Sequence, residues 1–154
     1  MTLRRIVPRT HGHERRVGLV LSRFNAPIGE GLLAGALRAL REAGVPDAAV
    51  TLVSVPGALE TPQALQRLAQ SGEYDALVAL GAVIRGETYH FEIVANESAR
   101  GVAEVALQFG VPIGNAILTC DTDEQAQQRM DAKGYEAVQA ALELANLFDD
   151  LDDA

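Results

Sequence analysis

Between Val78 and Glu92 the chain reads Val-Ala-Leu-Gly-Ala-Val-Ile-Arg-Gly-Glu-Thr-Tyr-His-Phe-Glu. Its apolar half has the composition of a buried strand, and it breaks at Arg85-Gly86 to deliver Glu87, Thr88 and His90 to one place. A helical pattern begins at once. Arginine, glycine, threonine and histidine at a strand-to-helix junction can together bind an anion and move a proton. His90 is the candidate proton carrier, because imidazole exchanges a proton near neutral pH and this one falls in the first turn of the expected helix. Free N–H groups at Glu87 and Thr88 would hold a phosphate there. Arg129 would add positive charge and a planar donor fork.

Polar clusters stand at the other strand ends as well. Phe24-Asn25 follows the first apolar run, and an aromatic side chain between polar neighbours suits a platform for a flat ring. Gly57 lets backbone approach a ligand closely, and Glu60 can accept hydrogen bonds from hydroxyls; a turn glycine and a helix-start carboxylate are the plainer readings of the pair. Thr119 to Asp123 closes the fourth run. Lys133 is the only lysine, so an enzyme-bound imine would have to form there. His11 and His13 flank Gly12 in a polar arm that offers no rigid element, and no metal site is assigned.

The elements that must position these residues follow from periodicity. Val17-Gly-Leu-Val-Leu, Val50-Thr-Leu-Val-Ser-Val, Ala76 to Ile84 and Ile113 to Thr119 read as strands. Between them, helical spacing appears at Leu33, Ala36, Leu37 and Leu40, at Leu65 and Leu68 behind a Thr61 cap with Pro62, and from Phe91 through Val94, Ala95, Ser98 and Val102 to Val105. Thr122-x-x-Gln125 is a capping-box pattern, and Lys133-Gly134 reads as a break before a last helix carrying Val138, Ala141, Leu142 and Ala145. Strands alternating with helices through short connections predict a doubly wound α/β domain, a four-stranded parallel sheet flanked by helices. In such a sheet ligands bind beyond the carboxyl ends of the strands, where every cluster named above falls.

The chain has 154 residues, 48% of them hydrophobic, enough for one domain with a substantial core. Residues 1–15 read as an arm rich in arginine, 16–148 as the domain, and 149–154 as a solvated acidic tail. A net charge of −8 argues against nucleic acid as a partner. No apolar run approaches the ~20 residues of a membrane span, and the first sixteen residues lack a signal-peptide core, so a cytoplasmic protein is expected. Cys120 stands alone, which excludes an internal disulfide or a cysteine-based metal site. The common phosphate loops G-x-x-x-x-G-K-[ST] and G-x-G-x-x-G are absent.

Ser22-Arg-Phe-Asn25, Pro56-Gly-Ala-Leu-Glu60, Gly81-Ala-Val-Ile-Arg-Gly-Glu-Thr-Tyr-His-Phe91, Glu124-Gln-Ala-x-x-Arg129, Lys133-Gly134 and Ala145-Asn146-Leu147 resemble the lumazine synthase family in order and spacing. The resemblance covers roughly Arg16 to Leu147, and Gly81 to Phe91 is its most specific part. It implies a flavodoxin-like fold and the condensation of 5-amino-6-ribitylamino-uracil with 3,4-dihydroxy-2-butanone 4-phosphate to 6,7-dimethyl-8-ribityllumazine, with release of phosphate and water, in riboflavin biosynthesis. It implies no metal or organic cofactor. Carried over by position, Phe24 would stack on the pyrimidine, and Ala58, Leu59 and Glu60 would hold the ribityl chain and ring edge. Ala82, Val83 and Ile84 would line the pyrimidine pocket, Glu87, Thr88 and Arg129 would bind the phosphate, and His90 would be the acid–base residue. Asn25, Gly57 and Lys133 are further candidates.

The resemblance also implies a homopentamer, or an assembly of pentamers, with sites at subunit boundaries and the arm adding a strand to a neighbour's sheet. Arg129 and Asn115 would then serve the adjacent subunit's site. Two departures stand out. Asn115 replaces a phenylalanine common in the fourth strand, and the stretch from Arg129 to Lys133 is shorter than the commoner pattern. A related riboflavin synthase, a non-catalytic lumazine or flavin binder, a flavodoxin-like electron carrier and a response regulator are the alternatives. Thr88 with Arg129 disfavours the first and His90 the second. The missing phosphate loop disfavours the third, and Ser22-Arg23-Phe24, where an acidic cluster is needed, the fourth.

Overall fold

Apolar side chains at nearly every position of Val17–Ser22 (β1) and Ala76–Ile84 (β3) require cover on both faces, whereas Ile113–Cys120 (β4) alternates buried and more open positions. The computed structural model, which describes residues 2–153, meets both demands. Together with Val50–Val55 (β2) these strands form a four-stranded sheet in the order β2-β1-β3-β4, every pair parallel. The continuous apolar runs therefore occupy the centre, and the two strands with partly open faces lie at the edges.

Helices Ala26–Glu42 (α1) and Asp123–Asp152 (α4) pack together on one face, with Leu32, Leu40, Val138 and Leu142 against Leu19, Val78 and Leu80. Thr61–Ser71 (α2) and His90–Phe109 (α3) cover the other, where Leu65, Val102 and Val105 meet Val20, Leu77 and Ala79. On α1 the deeply buried positions are Leu32, Ala36, Ala39 and Leu40; the expected Leu33 and Leu37 lie half-buried on the shoulder of that stripe.

The expected break at Lys133-Gly134 does not occur: α4 is continuous for 30 residues. Gly134 is buried in the crossing with α1, where an added methyl group would overlap the backbone carbonyl of Leu32. Gly35 of α1 meets the carbonyl of Asp131 in the same way. Close helix contact, rather than helix termination, accounts for this glycine. No described helix is long and apolar enough to cross a membrane.

The acidic tail, expected to be solvated, is tied to the arm. Helix α4 runs through the acidic end as far as Asp152, and Arg9 pairs with Asp150 at 2.8 Å and Arg15 with Asp149 at 2.6 Å. Gly12 is buried, donates its N–H to the carbonyl of Ala43 at 2.8 Å, and lies where a methyl group would strike Val45. His11 and His13 stack with ring centres 5.6 Å apart.

Candidate active site

The chain passes from β1 to β2 on one side and then crosses to β3 on the other, so the helices after β1 and β3 leave the sheet on opposite faces. A crevice must open at that switch point, beyond the carboxyl ends of β1 and β3. There the structure has a cavity of about 420 Å³. Phe24, Asn25, Gly57, Ala58, Leu59, Glu60, Ala82, Val83, Ile84, Thr88 and His90, all expected site residues, line it.

The β1–α1 corner supplies the aromatic wall. Arg23 and Phe24 donate their backbone N–H groups to the carbonyls of Val55 and Pro56, at 2.9 and 3.1 Å. Asn25 starts α1 in the left-handed region, at φ 59° and ψ 50°, and donates its side-chain N–H to the carbonyl of Ala82 at 3.0 Å. The Phe24 side chain, 70% exposed, stands at the cavity edge and has no core to pack into.

After β2, Ala58–Glu60 forms a single 3₁₀ turn that brings Glu60 back over Gly57. A methyl group on Gly57 would crowd the Glu60 carboxylate at 3.3 Å, so the glycine gives the acid room. Thr61 is not the cap of α2. Glu60 holds that position, and the buried Thr61 hydroxyl donates back to the Gly57 carbonyl at 3.4 Å. The hydroxyl thus ties the start of α2 to the turn that holds Glu60.

At the end of β3 the chain turns through a bend holding Glu87 and Thr88, and His90 is the first residue of α3. Glu87 and Thr88 therefore precede the helix instead of forming its first turn. His90 and Thr88 face the cavity; Glu87 is exposed and does not line it.

Arg85 turns away from the cavity. Its guanidinium donates to Asp121 at 2.7 Å and to Glu92 at 2.6 Å and lies 4.3 Å over the Phe91 ring. The bond to Asp121, then that to Glu92, raises the guanidinium above its ordinary value, and the Arg85 hydrogen bond lowers the Glu92 carboxyl. Arg85 is thus a clamp between α3 and the β4–α4 turn and not a free anion receptor.

The end of β4 belongs to that clamp as well. Thr119 and Asp121 line a second, polar concavity with Arg85, Glu92 and Gln125. Strand β4 lies beyond β3, one strand removed from the switch point, which keeps its end out of the first cavity. Thr122 caps α4 by accepting from the Gln125 N–H at 3.2 Å, while the Gln125 side chain accepts from Asp121 N–H at 2.8 Å, one residue earlier than a capping box requires.

Besides Glu87, three expected site residues lie apart from the cavity within one chain. Asn115 is exposed on β4 and folds its side-chain oxygen onto the N–H of Ile117 at 2.9 Å. Arg129 is exposed and donates to the Gln125 carbonyl of its own helix at 2.9 Å. Lys133 pairs with Glu136 at 3.1 Å on the α4 surface. Conversely, Pro56, Gly86, Phe91 and Val94 line the cavity without having been expected there. The signal for Phe91 and Val94 was present: their stripe begins at the carboxyl end of a strand, so its first turn faces the crevice before the rest meets the core.

The lining combines an aromatic wall, an apolar strand edge, a carboxylate, a hydroxyl and an imidazole, and it carries no lysine or arginine. It suits a flat heteroaromatic ring with a hydroxylated substituent beside a reacting centre that exchanges protons. Comparison with known proteins points the same way. Residues 14–149 match the family described as 6,7-dimethyl-8-ribityllumazine synthase. The chain is 52% identical to the 6,7-dimethyl-8-ribityllumazine synthase of Methylobacillus flagellatus over 97% of its own length and 100% of the relative's. It is 56% identical to that of Burkholderia multivorans over 91% of its length and 81% of the relative's, and 55% identical to that of Paraburkholderia phymatum over the same shares. With the fold, the crevice and these likenesses in agreement, the chain belongs to the 6,7-dimethyl-8-ribityllumazine synthase family.

Proposed function

We infer that the protein condenses 5-amino-6-ribitylamino-uracil with 3,4-dihydroxy-2-butanone 4-phosphate to 6,7-dimethyl-8-ribityllumazine, the reaction for which its family is named. The observation that carries the reading is the cavity in which Phe24, the Ala82–Ile84 edge, Glu60, Thr88 and His90 converge. The pyrimidine stacks on Phe24 and is held edge-on by Ala82, Val83 and Ile84. Its ribityl hydroxyls reach the Ala58-Leu59-Glu60 turn, whose carboxylate accepts from them. The substrate amine attacks the ketone and, with loss of a first water, gives an imine between the two substrates. Phosphate is then eliminated, and the ribityl-bearing nitrogen closes the second ring with loss of water. His90 carries protons in these steps. The only lysine, Lys133, is ion-paired away from the cavity, which agrees with an imine that does not involve the enzyme.

The phosphate is bound by the backbone N–H groups of Glu87 and Thr88 and the Thr88 hydroxyl at the bend, and by Arg129 as the cation. The cavity has no lysine or arginine of its own to meet a phosphate, and Arg129 is exposed outside it, which favours a site completed by a second copy of the chain. Asn115 reaches the neighbouring site by the same route. This favours a homopentamer, or an assembly of pentamers, in which the arm lies along a neighbour's open sheet edge; Leu52 of the edge strand β2 and Leu3 and Val7 of the arm are exposed. A cytoplasmic setting goes with a lone, buried, unpaired cysteine.

The test is an assay with both substrates that follows lumazine absorbance and phosphate release together. Matching amounts of the two products establish the synthase. Tight binding of lumazine without turnover would make the protein a binder and direct attention to Asn115.

A further inference from the structure

We propose that Asn25 is a positioning residue that sets Phe24 as the aromatic wall of the cavity by replacing, with its side chain, a missing bond of the sheet. Strand β1 pairs with β3 only as far as Leu21 opposite Leu80, while β3 continues to Ile84. The carbonyl of Ala82 therefore extends past the end of β1, and the Asn25 carboxamide meets it at 3.0 Å.

Two features show that this bond governs the local geometry. An asparagine at the start of a helix ordinarily turns its side chain onto the helix's own N–H groups. Asn25 makes no such bond, although its backbone carbonyl accepts from Ile28 and Gly29 at 3.0 and 3.2 Å and so begins α1. Its backbone is also left-handed, a conformation that asparagine tolerates better than other residues with a β-carbon. Both features aim the amide at β3.

The consequence falls on Phe24. Within one chain its ring is 70% exposed and joins neither core cluster, so the backbone on either side is what orients it there. On one side its own N–H is bound to Pro56 at the end of β2; on the other, Asn25 is bound to Ala82 at the end of β3. The aromatic platform is thus pinned to both neighbouring strands, and one of those strands is the cavity wall it must face.

The kinetic part of the test rests on the proposed reaction; the optical part does not. The chain contains no tryptophan, so Phe24→Trp places one tryptophan fluorophore at the cavity edge. Asn25→Gly keeps the left-handed backbone and deletes the amide, while Asn25→Asp keeps the shape and turns an oxygen toward the Ala82 carbonyl. In the Phe24→Trp background both changes should lower tryptophan anisotropy without altering the circular dichroism spectrum. In the native background they should raise KM for the pyrimidine about tenfold, the effect of one well-made hydrogen bond, and leave KM for the ketose phosphate unchanged. If Asn25→Asp fails to fold, Asn25→Gly decides. Unchanged anisotropy, or equal effects on both KM values, overturns the positioning role. An anisotropy loss in a protein that makes no lumazine even as wild type would overturn the proposed reaction and leave the positioning role standing.

Discussion

From inside the packed face of α4, Asn146 accepts a hydrogen bond from the guanidinium of Arg15 at 2.7 Å. The same carboxamide donates to the carbonyls of Arg9 and His11, at 2.8 and 3.0 Å, and the residue is only 1% exposed. It is the anchor that holds the arm against the domain. Asn146→Ala would leave those carbonyls without their donor, and it should cost about 2 kcal/mol, within the range for unsatisfied buried polar groups. Denaturant midpoints measure the cost, and faster hydrogen exchange confined to residues 2–13 would show that the arm is what is lost.

Gly134 should not tolerate even alanine. The added methyl group meets the Leu32 carbonyl, and both partners are helical backbone that cannot yield locally. Gly134→Ala is expected to lower stability by about 3 kcal/mol, the upper end of ordinary overpacking. A melting temperature equal to wild type would show that α1 and α4 can separate at little cost.

His90→Ala should reduce kcat roughly 100-fold, the lower end of what a positioned acid–base group contributes, with the assembly size unchanged by light scattering. The residue is exposed at the start of α3 and is not among the core residues, so loss of assembly instead would make it structural.

Arg129→Ala should raise KM for the butanone phosphate about tenfold, as expected for a charge-assisted contact, and leave that for the pyrimidine nearly unchanged. Equal effects on the two substrates would count against a phosphate role. If Arg129 serves a neighbouring copy, His90→Ala chains with their lowered kcat and Arg129→Ala chains with their raised KM, mixed during assembly, should recover activity, because some boundaries then combine both intact residues.

Acid should release the Arg85 clamp in a predictable direction. The Arg85 hydrogen bond lowers the Glu92 carboxyl in the folded protein. Its stabilising contribution is therefore complete above the ordinary carboxylate range and is lost as pH falls through the lowered folded value. Glu92→Gln should be less stable than wild type at pH 7, and the gap should close toward pH 3. Because both partners are partly exposed, the effect is small and should shrink further in high salt.

The sequence alone determined the order of elements, the layers and most of the cavity. Continuous apolar runs can be satisfied only between two helical layers, and residues at the carboxyl ends of adjacent parallel strands must converge at the switch point. That logic places Phe24, Gly57, Glu60, Thr88 and His90 together, and they line one cavity. Tertiary structure alone decided how individual polar groups are used. Arg85 reads as an anion receptor until Asp121 and Glu92 are seen to occupy it. Lys133-Gly134 reads as a helix break until the α1 backbone is seen against it. The acidic end reads as a solvated tail until Arg9 and Arg15 reach it. Periodicity reports which face of an element is apolar, because burial repeats along the chain. The partner of a charge or the neighbour of a glycine comes from distant sequence, with no local repeat to announce it, and only the packed fold brings the two together.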